Sequence, residues 1–218
     1  MDVIQTSGGN LEVTFVGHGS LVFSCQGTVV HVDPWSQLAD YTKLPKADLV
    51  LVTHEHRDHL DPAAIEAVRK PDTLVVVNAA SAAQVPGSRV MGNGDVRTLQ
   101  GLKVEAVPAY NIVHLRAEGQ PYHPRGSGNG YVVTFGDQRV YVAGDTENIP
   151  EMKDLRDIAC AFLPMNLPYT MTPEMVADAA RTLAPRILYP YHYGETDPAL
   201  LVALLEGAGI EVRIRDLR

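Results

Sequence analysis

At residues 53–61 the sequence reads Thr53-His54-Glu55-His56-Arg57-Asp58-His59-Leu60-Asp61, which places three histidines and an aspartate within six consecutive positions. Imidazoles and carboxylates crowded together are costly to desolvate without partners, whereas neutral imidazole and ionised carboxylate are groups that bind metal ions. The alternative is a solvated polar loop that leads into a helix beginning at Pro62. The density of ligand types favours a metal site.

A buried strand is predicted immediately before this stretch. Asp48-Leu49-Val50-Leu51-Val52 is a short run of alternating leucine and valine of the kind found in buried strands. The ligands then lie on the loop at the carboxyl end of the strand, where His54 and His56 occupy alternate positions and can point the same way. Asp58 and His59 follow on the next bend, so one short loop could serve two metal ions.

The pattern His54-x-His56-x-Asp58-His59 resembles the signature of the metallo-β-lactamase fold hydrolases, a superfamily of mostly two-metal enzymes. The resemblance extends from about Leu11 to His192. It is nearest to the branch that contains ascorbate-6-phosphate lactonases and N-acylphosphatidylethanolamine phospholipases. It implies an α+β or α/β fold, a four-layer αββα sandwich of two mixed β-sheets flanked by helices, in which each half roughly repeats the plan of the other.

Composition limits the organisation of the chain and its partners. The 218 residues have 45% apolar content and no linker-like stretch, which predicts one domain over residues 1–218. A formal charge of −8 without a run of Lys or Arg disfavours nucleic acid as a partner and leaves a small-molecule substrate. We find neither a secretion signal nor a membrane span, so we expect a cytoplasmic protein. The sequence leaves open whether the chain forms a homo-oligomer.

Patterning predicts further elements along the chain. Antiparallel strands are expected near the start, and a helix is expected from Pro62 to about Arg69 with Asp61 as its N-cap. A long polar loop is expected from about Ile112 to Gly130, and loops of this length are usually functional. Further strands are expected to end at Asp145 and His192, and a helix follows the N-cap Thr172.

The resemblance implies which downstream residues complete the site. It places a third histidine ligand just before a strand, which favours His123 over His114, and it places a bridging carboxylate at Asp145. The implied ligands are His54, His56 and His123 for one metal ion, Asp58, His59 and His192 for the other, and Asp145 between them. The residues themselves support this, because His54, Asp145 and His192 each end a separate buried-strand pattern, and strand ends are where such architectures build sites.

The implied activity is hydrolysis with two divalent metal ions. Imidazole ligands favour zinc, while the carboxylates leave manganese and iron open. A two-metal site supplies a bridging hydroxide, which would attack an ester, lactone or phosphodiester of a small molecule. Asp58 and Asp145 are the candidate catalytic residues, since Asp58 could orient the hydroxide or take up its proton and Asp145 would share charge between the metals.

Other residues are candidates for supporting roles, each with a plainer alternative. Asp33 could brace the histidine-rich loop or could simply cap the turn before Pro34. His18, between two glycines, could line the site or serve as a structural turn residue. Candidates for substrate contacts by position alone are Tyr110, His114, Asn166, Tyr191 and Tyr193, and ordinary packing is the alternative for the tyrosines.

Two other function classes stay open. One is a non-hydrolytic, iron-dependent oxidoreductase of the dioxygenase kind, because the superfamily scaffold also houses iron enzymes. Iron occupancy with oxygen-dependent turnover would favour it. The other is a metal-dependent binding protein without turnover. A protein that is inert towards every ester class but binds one metabolite tightly would favour this class.

Overall fold

Two seven-stranded sheets dominate the computed structural model, which describes all 218 residues. The strands of the first sheet follow chain order: β1 (Asp2–Thr6), β2 (Gly9–Gly17), β3 (Ser20–Cys25), β4 (Thr28–Val32), β5 (Leu49–Leu51), β6 (Leu74–Val77) and β7 (Arg89–Val90). Neighbours from β1 to β4 pair antiparallel, and neighbours from β4 to β7 pair parallel. The antiparallel opening predicted from alternation is therefore confirmed, while edge strands β1 and β7 were not predicted.

A small exposed hairpin separates the strands of the second sheet along the chain. After β8 (Val96–Leu99) and β9 (Leu102–Ala109) come the hairpin strands β10 (Leu115–Ala117) and β11 (Gln120–Pro121). The second sheet then continues with β12 (Gly128–Phe135), β13 (Gln138–Val142), β14 (Ile158–Pro164), β15 (Ile187–Tyr191) and β16 (Glu211–Val212). Its first four strands pair antiparallel and its last four pair parallel, which repeats the plan of the first sheet.

The prediction of one continuous loop from about Ile112 to Gly130 was wrong. The hairpin β10–β11 lies within it, and β12 begins three residues earlier than the apolar run at Tyr131. Glycine is required inside β12, since a Cβ at Gly130 would lie 2.8 Å from the carbonyl oxygen of Ala143. Sequence patterning reads such glycines as loop residues, although here they allow two backbones to approach.

The core lies between the two sheets. The ring of Phe23 in β3 lies 5.7 Å from the ring of Phe135 in β12 and 5.7 Å from that of Phe162 in β14, measured between centroids. Strand β5 alternates between two environments, because Leu49 and Leu51 join this core while Val50 packs in a second apolar cluster with helix α1 (Pro62–Val68). Helix α1 therefore covers the outer face of the first sheet.

Two further helices belong to the second half, α2 (Pro173–Leu183) and α3 (Leu200–Leu204). Helix α2 packs on β14, and its N-cap Thr172 accepts a hydrogen bond from the backbone of Met175, as the sequence predicted. The layers run helix, sheet, sheet, helix, which is the αββα sandwich that the resemblance implied. None of the helices has the length and apolar character needed to span a membrane.

Candidate metal centre

The residues singled out from the sequence meet at one edge of the sandwich, where both sheets end. His54, His56, Asp58 and His59 follow β5, while Asp145 and His192 follow β13 and β15. The backbone N–H of Asn129 donates to the carbonyl of Thr53 at 2.9 Å, which links the histidine-rich loop to the second sheet. Donor side chains from the two halves are therefore held next to each other.

One group of donors consists of His54, His56, His123 and Asp145. Each offers one ligand atom, and these four atoms all lie within 4.8 Å of one another. The Nε2 atom of His123 lies 3.2 Å from Oδ2 of Asp145, and Nε2 of His54 lies 3.9 Å from the same oxygen. His56 is half-buried and the other three residues are buried.

A second group consists of His18, Asp58, His59 and His192, whose ligand atoms also lie within 4.8 Å of one another. Oδ2 of Asp58 lies 3.0 Å from Nε2 of His18, 3.5 Å from that of His192 and 3.7 Å from that of His59. His18, considered from the sequence as a site-lining residue, thus lies within the donor cluster itself.

Asp145 lies between the two groups, and each of its oxygens faces one of them. While Oδ2 faces His54 and His123, Oδ1 lies 3.4 Å from Nε2 of His59 and 3.5 Å from Nε2 of His192. Gly144 makes this position accessible, because its φ of +67° is left-handed and a Cβ there would lie 2.8 Å from the carbonyl of Asn129.

Several buried polar atoms of the cluster have no hydrogen-bond partner. They are Oδ1 of Asp145 and the Nε2 atoms of His54, His59, His123 and His192. Buried polar groups are normally paired, and leaving them unpaired costs free energy. All five are good metal donors and converge on the same place, so the side chains present fit divalent metal ions.

Each of the four imidazoles is oriented through its other ring nitrogen. Nδ1 of His59 donates to Oδ2 of Asp33 at 2.8 Å, and Nδ1 of His54 donates to Oγ1 of Thr53 at 3.0 Å. Nδ1 of His192 lies 3.4 Å from the side-chain amide of Asn166. A hydrogen bond donated by Nδ1 leaves the Nε2 lone pair facing the centre, as for His54 and His59, and this is the usual arrangement around metal-binding histidines.

Asp33 occupies the bracing position that the sequence suggested. It is fully buried, and its Oδ1 accepts the backbone N–H of Thr53 while its Oδ2 accepts the Thr53 hydroxyl and the His59 imidazole. Its carboxylate thereby fixes both the start of the histidine-rich loop and the tautomer of one donor. It contacts no atom of the cavity, so it acts through His59.

A buried relay orients His123 and was not predicted. Nδ1 of His123 donates to Oδ1 of Asn111 at 2.7 Å, and the Asn111 amide donates to Glu147 at 3.1 Å. Glu147 is fully buried and also accepts the backbone N–H groups of Ile112, Val113 and His114. Burial alone would raise the pKa of the Glu147 carboxyl, but these N–H donors hold that pKa below its usual value.

His114 forms part of this relay and does not reach the donor cluster. Its Nδ1 lies 2.7 Å from Oε1 of Glu147, and the residue does not line the cavity over the centre. The choice of His123 over His114 therefore agrees with the geometry. The suggestion that His114 contacts substrate does not, because its imidazole is turned towards Glu147.

The three tyrosines considered as substrate contacts do not line the cavity either. The hydroxyl of Tyr110 donates to Glu151, and that of Tyr193 donates to the backbone oxygen of Arg215. Tyr191 is fully buried in the core. Packing accounts for all three, whereas Asn166 does line the cavity as expected.

The electrostatics of the donor cluster reflect the crowding of its side chains. Burial and the neighbouring His59 hold the pKa of His54 well below its usual value. Burial would also lower the pKa of His59, but the charges of Asp145, Asp33 and Asp58 raise it to about 10. Burial would raise the pKa of Asp145, but the surrounding histidines bring it well below its usual value. The carboxylates are thus ionised and ready to bind cations.

Three residues of the site have left-handed backbone conformations that side chains rarely adopt. The φ angles are +50° for His18, +44° for Asp33 and +47° for His192. Each such residue costs about 1 kcal/mol or more of backbone free energy, and such outliers cluster at functional sites. A backbone N–H from His192 to the carbonyl of His18, at 3.2 Å, joins two of them across the sheets.

Above the donors lies an open cavity of about 500 Å³. Besides donor residues, its walls include side chains that the sequence analysis did not select: Glu55, Arg57, Arg116, Tyr122 and Tyr169. The signal for Arg57 was present, since it lies inside the quoted stretch. Arg116 and Tyr122 lie on or beside the β10–β11 hairpin, which patterning did not reveal.

Comparison with known proteins agrees with this geometry. Residues 12–192 match the beta-lactamase superfamily domain. The chain is 32% identical to a UPF0173 metal-dependent hydrolase of Methanopyrus kandleri, over 94% of this chain and 95% of the relative.

Solved structures show the same fold. One is a provisionally assigned metal-dependent hydrolase of Parabacteroides distasonis, 52% identical, with a TM-score of 0.95 over 100% of this chain and 98% of the other. Another is Igni18, a metallo hydrolase of the archaeon Ignicoccus hospitalis, 25% identical, with a TM-score of 0.77 over 95% of each chain.

Proposed function

The chain belongs to the UPF0173 metal-dependent hydrolases of the β-lactamase superfamily, and from this premise we propose that it is a two-metal hydrolase of small-molecule esters, lactones or phosphodiesters. The observation that carries the proposal is the position of Asp145. Its two carboxylate oxygens face two separate donor groups, whose buried Nε2 atoms have no other partner. One carboxylate placed in this way can be shared by two metal ions and so supports a two-metal centre.

In this proposal seven side chains hold the ions. One ion is held by His54, His56 and His123, the other by Asp58, His59 and His192, and both by Asp145. His18, whose ligand atom lies in the second donor group, is a further candidate for that group. Imidazole-rich donor sets favour zinc, and manganese or iron would also accept the carboxylates.

Bound divalent ions would lower the pKa of a water molecule to near neutrality and stabilise negative charge that develops on the substrate. The protein's own groups supply orientation. Burial would raise the pKa of Asp58, but the hydrogen bond from His18 and the neighbouring His192 imidazole hold it well below its usual value. Asp58 is therefore placed as an ionised acceptor that could orient the water molecule or take up its proton.

The cellular setting and organisation form part of the same proposal. We propose a single domain over residues 1–218, a cytoplasmic location and a small-molecule substrate; the formal charge of −8 and the modest size of the cavity support the small-molecule substrate. These features disfavour a nucleic-acid substrate, because an acidic chain repels phosphate backbones. The cavity of about 500 Å³ lies within the range of small-molecule sites.

The proposal is tested by metal analysis and turnover of matched variants. Metal per chain is measured for wild type, Asp145→Ala and the control Asp72→Ala, an exposed aspartate in the turn before β6. Hydrolysis of bis(p-nitrophenyl) phosphate and of a simple lactone is followed in parallel. We expect about two ions per chain in wild type and control, with loss of metal and turnover only in Asp145→Ala.

Other outcomes would contradict the proposal in distinct ways. Equal metal content in wild type and Asp145→Ala would show that the ligand assignment is wrong. A single iron with oxygen-dependent turnover would favour an oxidoreductase. Full metal content with no hydrolysis of any ester would favour a binding protein.

A further inference from the structure

Two arginines without carboxylate partners line the cavity over the donor cluster. The side chains of Arg57 and Arg116 are exposed, and neither forms an ion pair or a hydrogen bond with another residue. Several other arginines of this acidic chain do so, as Arg125 does with Glu151 and Arg139 with Glu105. The Arg116 guanidinium lies 5.7 Å from the ring centroid of Tyr122.

Both arginines project from segments that the site itself holds in place. Arg57 lies between His56 and Asp58, on a loop closed by a hydrogen bond from the N–H of His59 to the carbonyl of His56 at 3.0 Å. Arg116 lies in β10, directly after the segment that Glu147 anchors through three backbone N–H groups. The backbone positions from which both side chains extend are therefore fixed relative to the donor residues.

The charge of the cavity changes sign when the ions of the proposed function are present. Three carboxylates line it, and two of them, Asp58 and Asp145, are assigned to metal ions. The third, Glu55, already accepts a hydrogen bond from Asn78 at 2.8 Å. Two divalent cations together with Arg57 and Arg116 outweigh these three negative charges. A locally cationic cavity on an acidic protein selects and concentrates anions.

We propose that Arg57 and Arg116 bind an anionic oxygen group of the substrate, a phosphate or a carboxylate. The planar guanidinium offers parallel N–H donors that match either oxyanion, and charged hydrogen bonds of this kind are stronger than neutral ones. This inference rests on the proposed function and narrows it, since neutral esters and neutral lactones become poor substrates. The recognised substrate class is the small organic anion.

Two aromatic side chains that also line the cavity suit the uncharged, organic part of such a molecule. The rings of Tyr122 and Tyr169 meet edge to face with centroids 5.0 Å apart, and both line the cavity. Tyrosines present apolar surface with a polar tip, so they can contact the organic part of the anion without repelling it. Arginine and tyrosine together would orient the molecule with its charge held by the guanidinium groups.

The test measures binding of inorganic phosphate to the metal-loaded protein by titration calorimetry at fixed ionic strength. Wild type is compared with Arg57→Gln, Arg116→Gln, the double variant and the control Arg89→Gln. Arg89 is exposed in β7, lies outside the cavity and changes the net charge equally. We expect a loss of affinity of about tenfold for each single variant, more for the double variant and none for the control.

A parallel titration with acetate distinguishes the two sources of the anionic group. Stronger binding of phosphate assigns a phosphoryl group, and stronger binding of acetate assigns a carboxylate. Unchanged affinity for both ions in the double variant, with metal content and thermal unfolding as in wild type, would overturn the proposal. So would failure of wild type to bind either ion.

Kinetics separate this inference from the proposed function. The double variant should raise KM for anionic bis(p-nitrophenyl) phosphate and leave KM for neutral p-nitrophenyl acetate unchanged. Equal effects on KM for both substrates would refute the proposed arginine site while leaving the proposed hydrolase function standing. If wild type turns over no ester at all, the proposed function fails, and the phosphate titration still decides whether the arginine site exists.

Discussion

Replacing Asp33 by Asn should weaken metal binding without disturbing the fold. Asparagine has the same shape and tolerates the left-handed backbone that Asp33 adopts at φ +44°. Its Oδ1 can still accept the N–H of Thr53, but its amide then faces the His59 imidazole, whose Nδ1 donates to Asp33 at 2.8 Å in the native protein. Two donors would face each other, so His59 should adopt the other tautomer and present a proton at Nε2.

The size of the effect on metal affinity follows from the contact between Asp33 and His59. Both side chains are fully buried, so solvent does not weaken the bond. A hydrogen bond to a charged group contributes about 1.5–3 kcal/mol, which corresponds to a roughly tenfold to hundredfold change in an equilibrium constant. Loss of groups that orient metal ligands typically weakens metal affinity by about the same factor. We therefore expect Asp33→Asn to bind zinc about 10–100 times more weakly.

The assay is competition for zinc between the metal-free protein and a chromophoric chelator, with stability measured separately by urea unfolding. The matched control is Asp61→Asn, since Asp61 caps helix α1 and contacts no donor residue, and Asn is nearly as good an N-cap. The reasoning would be refuted by an Asp33→Asn variant that is folded and binds zinc as tightly as wild type. It would also be refuted if the Asp61 control lost as much affinity.

Three further predictions concern stability. Glu147→Gln places an amide against at least two of the N–H groups that donate to Glu147, so the unfolding free energy should fall by about 3 kcal/mol. The backbone amides of Ile112 and Val113 should also exchange hydrogen faster than in wild type. Unchanged exchange would contradict the role of Glu147 as their acceptor. Burial lowers the pKa of His31 to about 4, from about 6.5 in the unfolded chain. The contribution of the neutral imidazole to the unfolding free energy is therefore complete above pH 6.5 and is lost as the pH falls towards 4. Between pH 6.5 and pH 4 the unfolding free energy of wild type should fall by about 3 kcal/mol more than that of His31→Gln. Parallel pH profiles of the two proteins would show that His31 does not titrate as described. Removal of the metal by a chelator should lower Tm by roughly 10 °C, since ligands that bind only the folded state stabilise it, and an unchanged Tm after verified metal loss would argue against ions held at this site.

Local patterns predicted much of the fold because they report burial directly. The run Leu49-Val50-Leu51 predicted β5, and it is buried because one face contacts the inter-sheet core and the other contacts α1. Strands β1 and β7 lie at a sheet edge, and the hairpin strands β10 and β11 are largely exposed, so their side chains carry little apolar alternation. Exposed strands leave a weaker signal in the sequence than buried ones.

The donor residues were accessible from the sequence to different degrees. Four of them lie within six consecutive positions, so their clustering is visible without a fold. Spacing alone did not separate His123 from His114, and only the family resemblance favoured His123. In the structure the difference is physical, because Asn111 directs His123 to the centre while Glu147 holds His114 away from it.

The contacts of the supporting residues could not be predicted, because these residues meet only through tertiary structure. Asn111 and Glu147 are 36 positions apart and come together because β9, β12 and β13 are neighbours in the second sheet. His18 and Asp58 are 40 positions apart and meet where the two sheets end at the same edge. A single sequence contains each residue but not the pairing that gives it a role.

The distribution of the donors between the two sheets determines when the site can exist during biosynthesis. A nascent chain carries His54, His56, Asp58 and His59 early, yet it lacks Asp145 until β13 has been made and lacks His192 until β15 has been made. Domains are synthesised from the N-terminus, and contacts distant in sequence form late. Acquisition of the complete donor set is therefore among the last steps of maturation, and a substitution that slows docking of the sheets would produce metal-poor protein even when every donor residue is intact.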